Sequence, residues 1–399
     1  MKPPKPIAVL VSPVLPLPGR SGRALRAWDW LNELAENHRV HVVLAGAMPG
    51  SGGLPPDYPA EGVWPLGESL ALPGRFRRAI GLMLPWLALC SRRFIADWPQ
   101  VMPAPDLNRL AGLRESGPVA RIIVFRLYLH DVGQAVARLF PDAAAFLDMD
   151  DRESATRLSV AGALLRLGRV RQAVRAASLG LQYGLVARFV RAGYQVAYLS
   201  APDDCRGFST RLARHVACRP NRISLPANQS PRRTAGPCRL LFVGTLDYAP
   251  NEEAVRMLVR RVMPLLRAAG GPSWRLCVVG RHAPRQLADM LRANPDVAFL
   301  PDAEDIAACY RGADIALVPL QAGGGTKLKT LEGFAHGLPV IATRHGVRGL
   351  GAAAGQHYLA AETPRDFARA ITLLADDPAL AARIAAAGRC FVGKFAVAA

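Results

Sequence analysis

The chain has little of what would place it in an oxidising compartment or in a bilayer. Its seven cysteines, Cys90, Cys205, Cys218, Cys238, Cys277, Cys309 and Cys390, stand singly, odd in number and with no C-x-x-C pair. That spacing excludes a disulfide framework and a thiolate metal site, and the thiols read as reduced core residues. Long apolar runs are missing too. The longest beyond the N-terminus, Ala79–Cys90, spans 12 residues, contains Pro85 and is flanked by Arg77, Arg78, Arg92 and Arg93. A spanning helix needs about 20 apolar residues, so this stretch cannot be one. Two readings of Arg75–Arg93 fit: a helix pair buried around Pro85, or a segment lying in a membrane interface. At the N-terminus Lys2 and Lys5 precede the apolar run Ile7–Leu15, but prolines at 13, 16 and 18 interrupt it without a small-residue cleavage site. A first β-strand is expected there rather than a signal peptide.

Acidic residues are also few, 31 against 50 basic, for a formal charge of +19, and 45 of the basic residues are arginine, a bias that genome composition also produces. Residues 1–228 hold 29 basic and 17 acidic residues, and the segment 152–222 alone holds 13 basic and three acidic. One basic surface in the first half is therefore expected. Its field would attract the phosphates of an anionic membrane, of a diphosphate-bearing acceptor or of nucleic acid, and a merely solvated arginine face is the alternative.

What is present suits a globular protein: 399 residues, 51% hydrophobic and 20% charged, enough for two domains of ordinary size. Strand candidates Ile7–Val11, Val40–Leu44, Ile122–Phe125, Ala144–Leu147 and Val196–Leu199 alternate with helical stretches. The first of these, Gly22 to Asn37, repeats Leu25, Trp28, Leu31 and Ala35 at helical spacing. An arginine-rich helical region fills about 153–192. Residues 227–237 lose the apolar pattern and read as a linker. The alternation restarts with Leu240–Val243, Leu276–Val279, Ala298–Leu300, Ile315–Pro319, Val340–Thr343 and Tyr358–Ala360. Two doubly wound α/β domains are expected, 1–228 and 229–399.

The sharpest feature is Pro319–Pro339, PLQAGGGTKLKTLEGFAHGLP, where a strand ends, three glycines turn and a helix is expected near Thr326. Glycines let a phosphate approach the main chain, and the positive helix end with Lys327 or Lys329 would offset its charge. Glu332 shares a helical face with Leu328 and Ala335, which are expected to be buried, so its carboxylate needs partners. A ribose diol and a structural arginine such as Arg344 both fit.

Gly323 to Pro339 resembles the donor-binding signature of family 4 glycosyltransferases, in the subgroup reading G-G-G-T-[RK]-x-K-x-L-E and then G-x-P-V. The stretch Phe242–Asn251 (FVGTLDYAPN) is similar to the strand and loop that open the donor domain, and Val278-Val-Gly280 to its second strand and turn. The resemblance implies a GT-B fold, two Rossmann-like domains facing across a cleft. It also implies a retaining sugar transfer, with a nucleotide-sugar donor in the C-terminal domain and a glycan or lipid-linked acceptor in the N-terminal one. Gly323, Gly324, Gly325 and Thr326 would then face the diphosphate and Glu332 the ribose, with Gly244, Thr245 and Gly280 lining the donor site. The wider family carries a first glutamate eight positions earlier, where this chain has Gly324. It also has an arginine and a lysine after the opening strand, where Thr245, Leu246, Asp247 and Tyr248 follow Gly244. Lys327 and Lys329 are the expected substitutes for those cations.

In the first half Pro13–Arg26 is similar to the acceptor-side loop, which assigns Gly22 and Arg26 to the acceptor. Arg126 and His130 follow the strand Ile122–Phe125 at its ligand-bearing end, Arg126 as an acceptor contact and His130 as a catalytic candidate or a structural histidine. Asp148, Asp150 and Asp151 are expected to cap the next helix rather than hold a metal. No metal or cofactor is expected, nor a nucleic-acid partner. The expected setting is the cytoplasm, peripheral at the inner membrane face, in cell-surface polysaccharide or glycolipid synthesis. Two alternatives keep the fold: a nucleotide-sugar epimerase, and a non-enzymatic module binding an anionic membrane or nucleic acid.

Overall fold

The computed structural model describes residues 4–18, 22–46, 54–66, 70–72, 74–95, 97–101, 109–226, 236–270, 273–325 and 327–396. Thr326 and most of the expected linker at 227–237 lie outside them. The chain divides into two compact units, residues 1–158 with 175–220, and 159–174 with 221–399.

In the first unit seven parallel strands, β1 (Ile7–Ser12), β2 (Arg39–Leu44), β3 (Ala60–Pro65), β6 (Val119–Phe125), β7 (Ala144–Asp150), β8 (Tyr194–Leu199) and β9 (Ala213–Cys218), lie in the order β3-β2-β1-β6-β7-β8-β9. A two-residue antiparallel ribbon, β4 (Leu70–Ala71) with β5 (Gln100–Val101), stands apart. β1 is buried throughout. Alternate residues serve opposite cores, Ile7, Val9 and Val11 on one side and Ala8 and Leu10 on the other. Helix His130–Leu139 lies tight on this sheet: a Cβ at Gly133 would meet Val124 Cγ2 at 2.3 Å.

The second unit repeats the winding with β10 (Cys238–Val243), β11 (Trp274–Val279), β12 (Val297–Leu300), β13 (Ile315–Val318), β14 (Val340–Ala342) and β15 (Leu359–Ala360), ordered β12-β11-β10-β13-β14-β15 and all parallel. Both orders reverse beside their first strand, the switch point where doubly wound sheets leave a crevice at the carboxyl ends of the strands. Two helices, Glu153–Arg166 and Val170–Phe189, turn at Gly168 (φ +74), and their distal part, 159–174, belongs to the second unit.

Two expectations change. The segment 152–222 is shared between the units, and much of its charge is paired: Arg157 with Asp97, Arg166 with Glu253, Arg169 with Glu252, and Arg219 with Asp29 and Glu33. The stretch around Pro85 is not a buried helix pair, since Met83 is 79% and Trp86 57% exposed. No helix among the described residues is long and apolar enough to cross a membrane.

Candidate functional site

β13 is buried at every position, so the chain must leave the sheet before it can turn. It does so through Gly323 (φ +110) and Gly325 (φ +67), both in backbone that favours glycine. A Cβ at Gly323 would also sit 2.8 Å from Tyr248 Oη. The helix that follows runs Leu328–Ala335, starting two residues later than expected, and packs so closely that a Cβ at Gly333 would meet Val340 Cγ2 at 2.9 Å.

Lys327 turns inward. It is 5% exposed, and its Nζ donates to Gly323 O and Gly324 O, each at 3.2 Å. His345 Nε2 lies 2.9 Å from the same Gly323 oxygen. Burial, reinforced by the Lys327 charge, lowers this imidazole to about 4, so the neutral ring donates its Nε2–H to the carbonyl. In a trans peptide the C=O of one residue and the N–H of the next point in opposite directions. With the carbonyls of Gly323 and Gly324 held by Lys327, the N–H groups of Gly324 and Gly325 therefore point away from it. The Gly323 N–H is already engaged, donating to Ser159 Oγ at 3.0 Å.

Lys329 reaches the end of β10. Its Nζ donates to Asn251 Oδ1 at 2.7 Å and lies 4.5 Å from the centre of the Phe242 ring, while Asn251 Nδ2 donates to Thr245 O at 2.8 Å. A Cβ at Gly244 would come within 2.9 Å of both Lys329 Nζ and Asn251 Nδ2, so the missing side chain at 244 makes room for the lysine. Burial pulls the ammonium down from 10.5 to about 7, against the attraction of Glu332 and with repulsion from Lys327. Gly280 follows β11 and lies against the same turn: its Cβ would fall 2.0 Å from Gly244 O.

Glu332 lies one turn beyond Leu328 and is half-buried. Its Oε2 accepts from Tyr310 Oη at 2.8 Å, and Tyr310 stacks on His336 with ring centres 4.7 Å apart. Burial raises the carboxyl, while the Tyr310 hydroxyl and Lys329 hold it down. The arginine considered for Glu332 is elsewhere: the Arg344 side chain is 89% exposed and lies 4.0 Å from Glu362. The second unit thus gathers Gly244, Thr245, Gly280, the glycine turn, Lys327, Lys329 and Glu332 at the carboxyl ends of β10, β11 and β13. Asn251, Tyr310 and His345 join them. Asn251 closes the FVGTLDYAPN stretch, and Tyr310 lies in Asp305–Pro319, which is similar to the segment preceding the signature, but no residue type or spacing singled out Tyr310 or His345.

In the first unit the expected residues have internal partners. Gly22 opens the helix Gly22–Asn37. Arg26, 3% exposed, pairs with Asp148 at 2.7 Å and donates to Arg219 O at 2.9 Å. Arg126 (φ +83) donates to Asp150 at 2.8 Å and to Glu153 at 2.7 Å. Asp148 and Asp150 thus hold arginines, in place of the expected capping. His130 is 2% exposed, with Nδ1 3.2 Å from Tyr194 Oη and its ring against Trp98, and burial lowers it to about 4.

No curated protein matches this sequence. The structure is similar to sucrose-phosphate synthase from Thermosynechococcus elongatus at 15% identity and TM-score 0.64, over 98% of this chain and 95% of that one. It is similar to HepE from Anabaena, crystallised with UDP and glucose, at 13% identity and TM-score 0.62, over 98% and 95%. A glycosyltransferase from Rickettsia africae follows at 12% identity and TM-score 0.58, over 98% and 94%. Residues 237–377, which hold the whole glycine turn and Glu332, match the family model for glycosyl transferases group 1, and the two parallel sheets with these structural neighbours make the fold GT-B.

Proposed function

We propose that this chain transfers a hexosyl or related sugar, with retention, from a nucleotide-sugar donor to a glycan or lipid-linked acceptor in cell-surface polysaccharide or glycolipid synthesis. It would work in the cytoplasm, peripheral at the inner membrane face, without metal or cofactor. The observation that carries the donor half is the convergence on one short helix of Lys329, bonded to Asn251 beside Gly244, and Glu332, one turn further on. A diphosphate fits the outward N–H groups of Gly324 and Gly325 with Lys329 as counter-charge, and Thr326 is assigned to the same group. A ribose diol offers Glu332 two hydroxyl donors. Lys327 contributes its charge from beneath the loop whose shape it holds. In the first unit Arg26 and Arg126 would set carboxylates for the acceptor rather than present free cations. His130 would support that site from within the core.

The test is a thermal-shift comparison of UDP, GDP, ADP, TDP and CMP on the protein and on Glu332→Ala. UDP comes first because HepE was crystallised with it. Stabilisation by one nucleoside diphosphate, lost in the variant, is the expected result. No shift from any of them would remove the donor pocket and leave a binding module.

A further inference from the structure

The helix Arg75–Met83 carries its apolar stripe on the outside. Phe76, Ala79, Ile80 and Met83 recur at i, i+3, i+4 and i+7 and so share one face. A core helix would bury that face, yet Phe76 is 77% and Met83 79% exposed. The opposite side is what docks. Gly81 is buried so closely that a Cβ would lie 2.0 Å from Phe94 O, and its own carbonyl accepts from Gln182 Nε2. The next carbonyl, Leu82 O, accepts from Ser178 Oγ at 2.7 Å. These contacts fix the rotation of the helix, so the fold itself holds the stripe outward. Exposed Leu72, Leu84, Trp86 and Leu89 extend it on either side.

The charge around the stripe is of one sign. Residues 69–96 contain five arginines, 75, 77, 78, 92 and 93, and no aspartate or glutamate. Arg75, Arg77 and Arg93 are exposed, and Arg92 pairs with Asp131.

We propose that this face, Leu72 to Leu89, docks on an anionic lipid bilayer, with Phe76, Met83 and Trp86 in the headgroup boundary and the arginines on lipid phosphates. A second copy of the chain fits less well, because a two-fold interface would set the exposed Arg75, Arg77 and Arg93 against their own copies with no acid from residues 69–96 to meet them. The surface is distinct from the basic segment 152–222, and none of the donor site enters into it.

Flotation with vesicles tests it. The full chain should float with mixed phosphatidylglycerol and phosphatidylcholine vesicles, less at high salt, and much less with phosphatidylcholine alone. The combined Phe76→Ser, Met83→Ser and Trp86→Ser variant should lose at least about tenfold in partitioning. Arg75→Gln and Arg77→Gln should each lose about fivefold on the anionic vesicles only. All five positions are exposed, so melting temperatures should stay unchanged. Absent binding, or equal binding by the triple variant, overturns the assignment. So does a dimer in light scattering that the triple variant dissolves, which would make the face a self-contact. A nucleoside diphosphate shift on the unaltered protein keeps the two proposals apart, since its absence would count against sugar transfer and not against docking, and its retention in the variants would show that they keep the donor site intact.

Discussion

Lys329 Nζ and Asn251 Oδ1 are 2.7 Å apart, joining the helix that follows the glycine turn to the helix that follows β10. Lys327, two residues earlier, spends its charge on the carbonyls of Gly323 and Gly324. Two lysines that look equivalent in sequence therefore have different tasks.

Their alanine and methionine variants should separate accordingly. Lys327→Ala removes two charged hydrogen bonds beneath the loop and should destabilise the fold by about 1.5–3 kcal/mol, read from denaturant melts. Lys329→Met should fold within about 1 kcal/mol of the parent, because it also removes a costly buried amine. Its turnover should fall about 100-fold, the usual size of losing one donor to developing charge. Unchanged turnover in both would assign the leaving-group charge to another cation.

Lys329 also sets a pH dependence. In the free protein its ammonium is held down to about 7 by burial, and a bound diphosphate would raise it again. Binding must then take up a proton, so affinity should weaken as pH rises from about 7 towards 9. Calorimetry in buffers of different ionisation enthalpy would register the uptake, and Lys329→Met should abolish it. Stability of the free protein runs the other way. Between about 7 and 10.5 the unfolded chain holds a proton here that the folded chain lacks, so the cost of burying this amine shrinks as pH climbs. Affinity that is flat or rising with pH would place the diphosphate away from Lys329.

Much of this was legible in the sequence, and the exceptions share a cause. Every strand expected from an apolar run is present, and β1 and β13, buried at every position, show the signal at its clearest, since a strand covered on both faces reads as an unbroken apolar run. β3 and β9 were missed: AEGVWP and ARHVAC are edge strands with mixed burial and no clean pattern. In the first helix the buried residues are Ala24, Ala27, Trp30, Leu31 and Leu34 with Arg26, so of the expected stripe Leu31 is buried but Leu25, Trp28 and Ala35 are not. The buried arginine misplaced the face, and its partner Asp148 lies 122 positions away. Tyr310 as the partner of Glu332 was hidden for the same reason, since 22 residues and a strand separate them. The glycine turn was readable because its chemistry is local.

The Tyr310 hydroxyl bears directly on the ribose assignment. If Glu332 receives the ribose diol, the protein should prefer a ribonucleoside diphosphate to its 2′-deoxy counterpart by about tenfold or more, the value of a hydrogen bond to a charged group. Glu332→Ala should erase that ratio. Tyr310→Phe should reduce it while leaving the diphosphate contacts in place, because the carboxylate then loses the 2.8 Å bond that orients it. A ratio near one in the unaltered protein would take Glu332 off the ribose.

Gly280 offers a test of the site's framework. Its Cβ would fall 2.0 Å from Gly244 O and 2.9 Å from Leu246 Cγ, and Gly244 N is tied to Val279 O at 2.9 Å, so neither backbone can yield without opening the turn after β10. Gly280→Ala should therefore lower stability by about 1–3 kcal/mol, as overpacking does, and weaken nucleotide binding more than the melting temperature alone explains. Gly393→Ala is the matched control. Its φ is −53° and nothing lies within 4 Å of its Cβ, so alanine there should be neutral or stabilise by up to about 1 kcal/mol with binding unchanged. Equal effects from the two substitutions would mean that the close approach of Gly280 to Gly244 does not shape the site. Damage confined to Gly280→Ala would show that the donor turn depends on two strand ends meeting with no side chain between them.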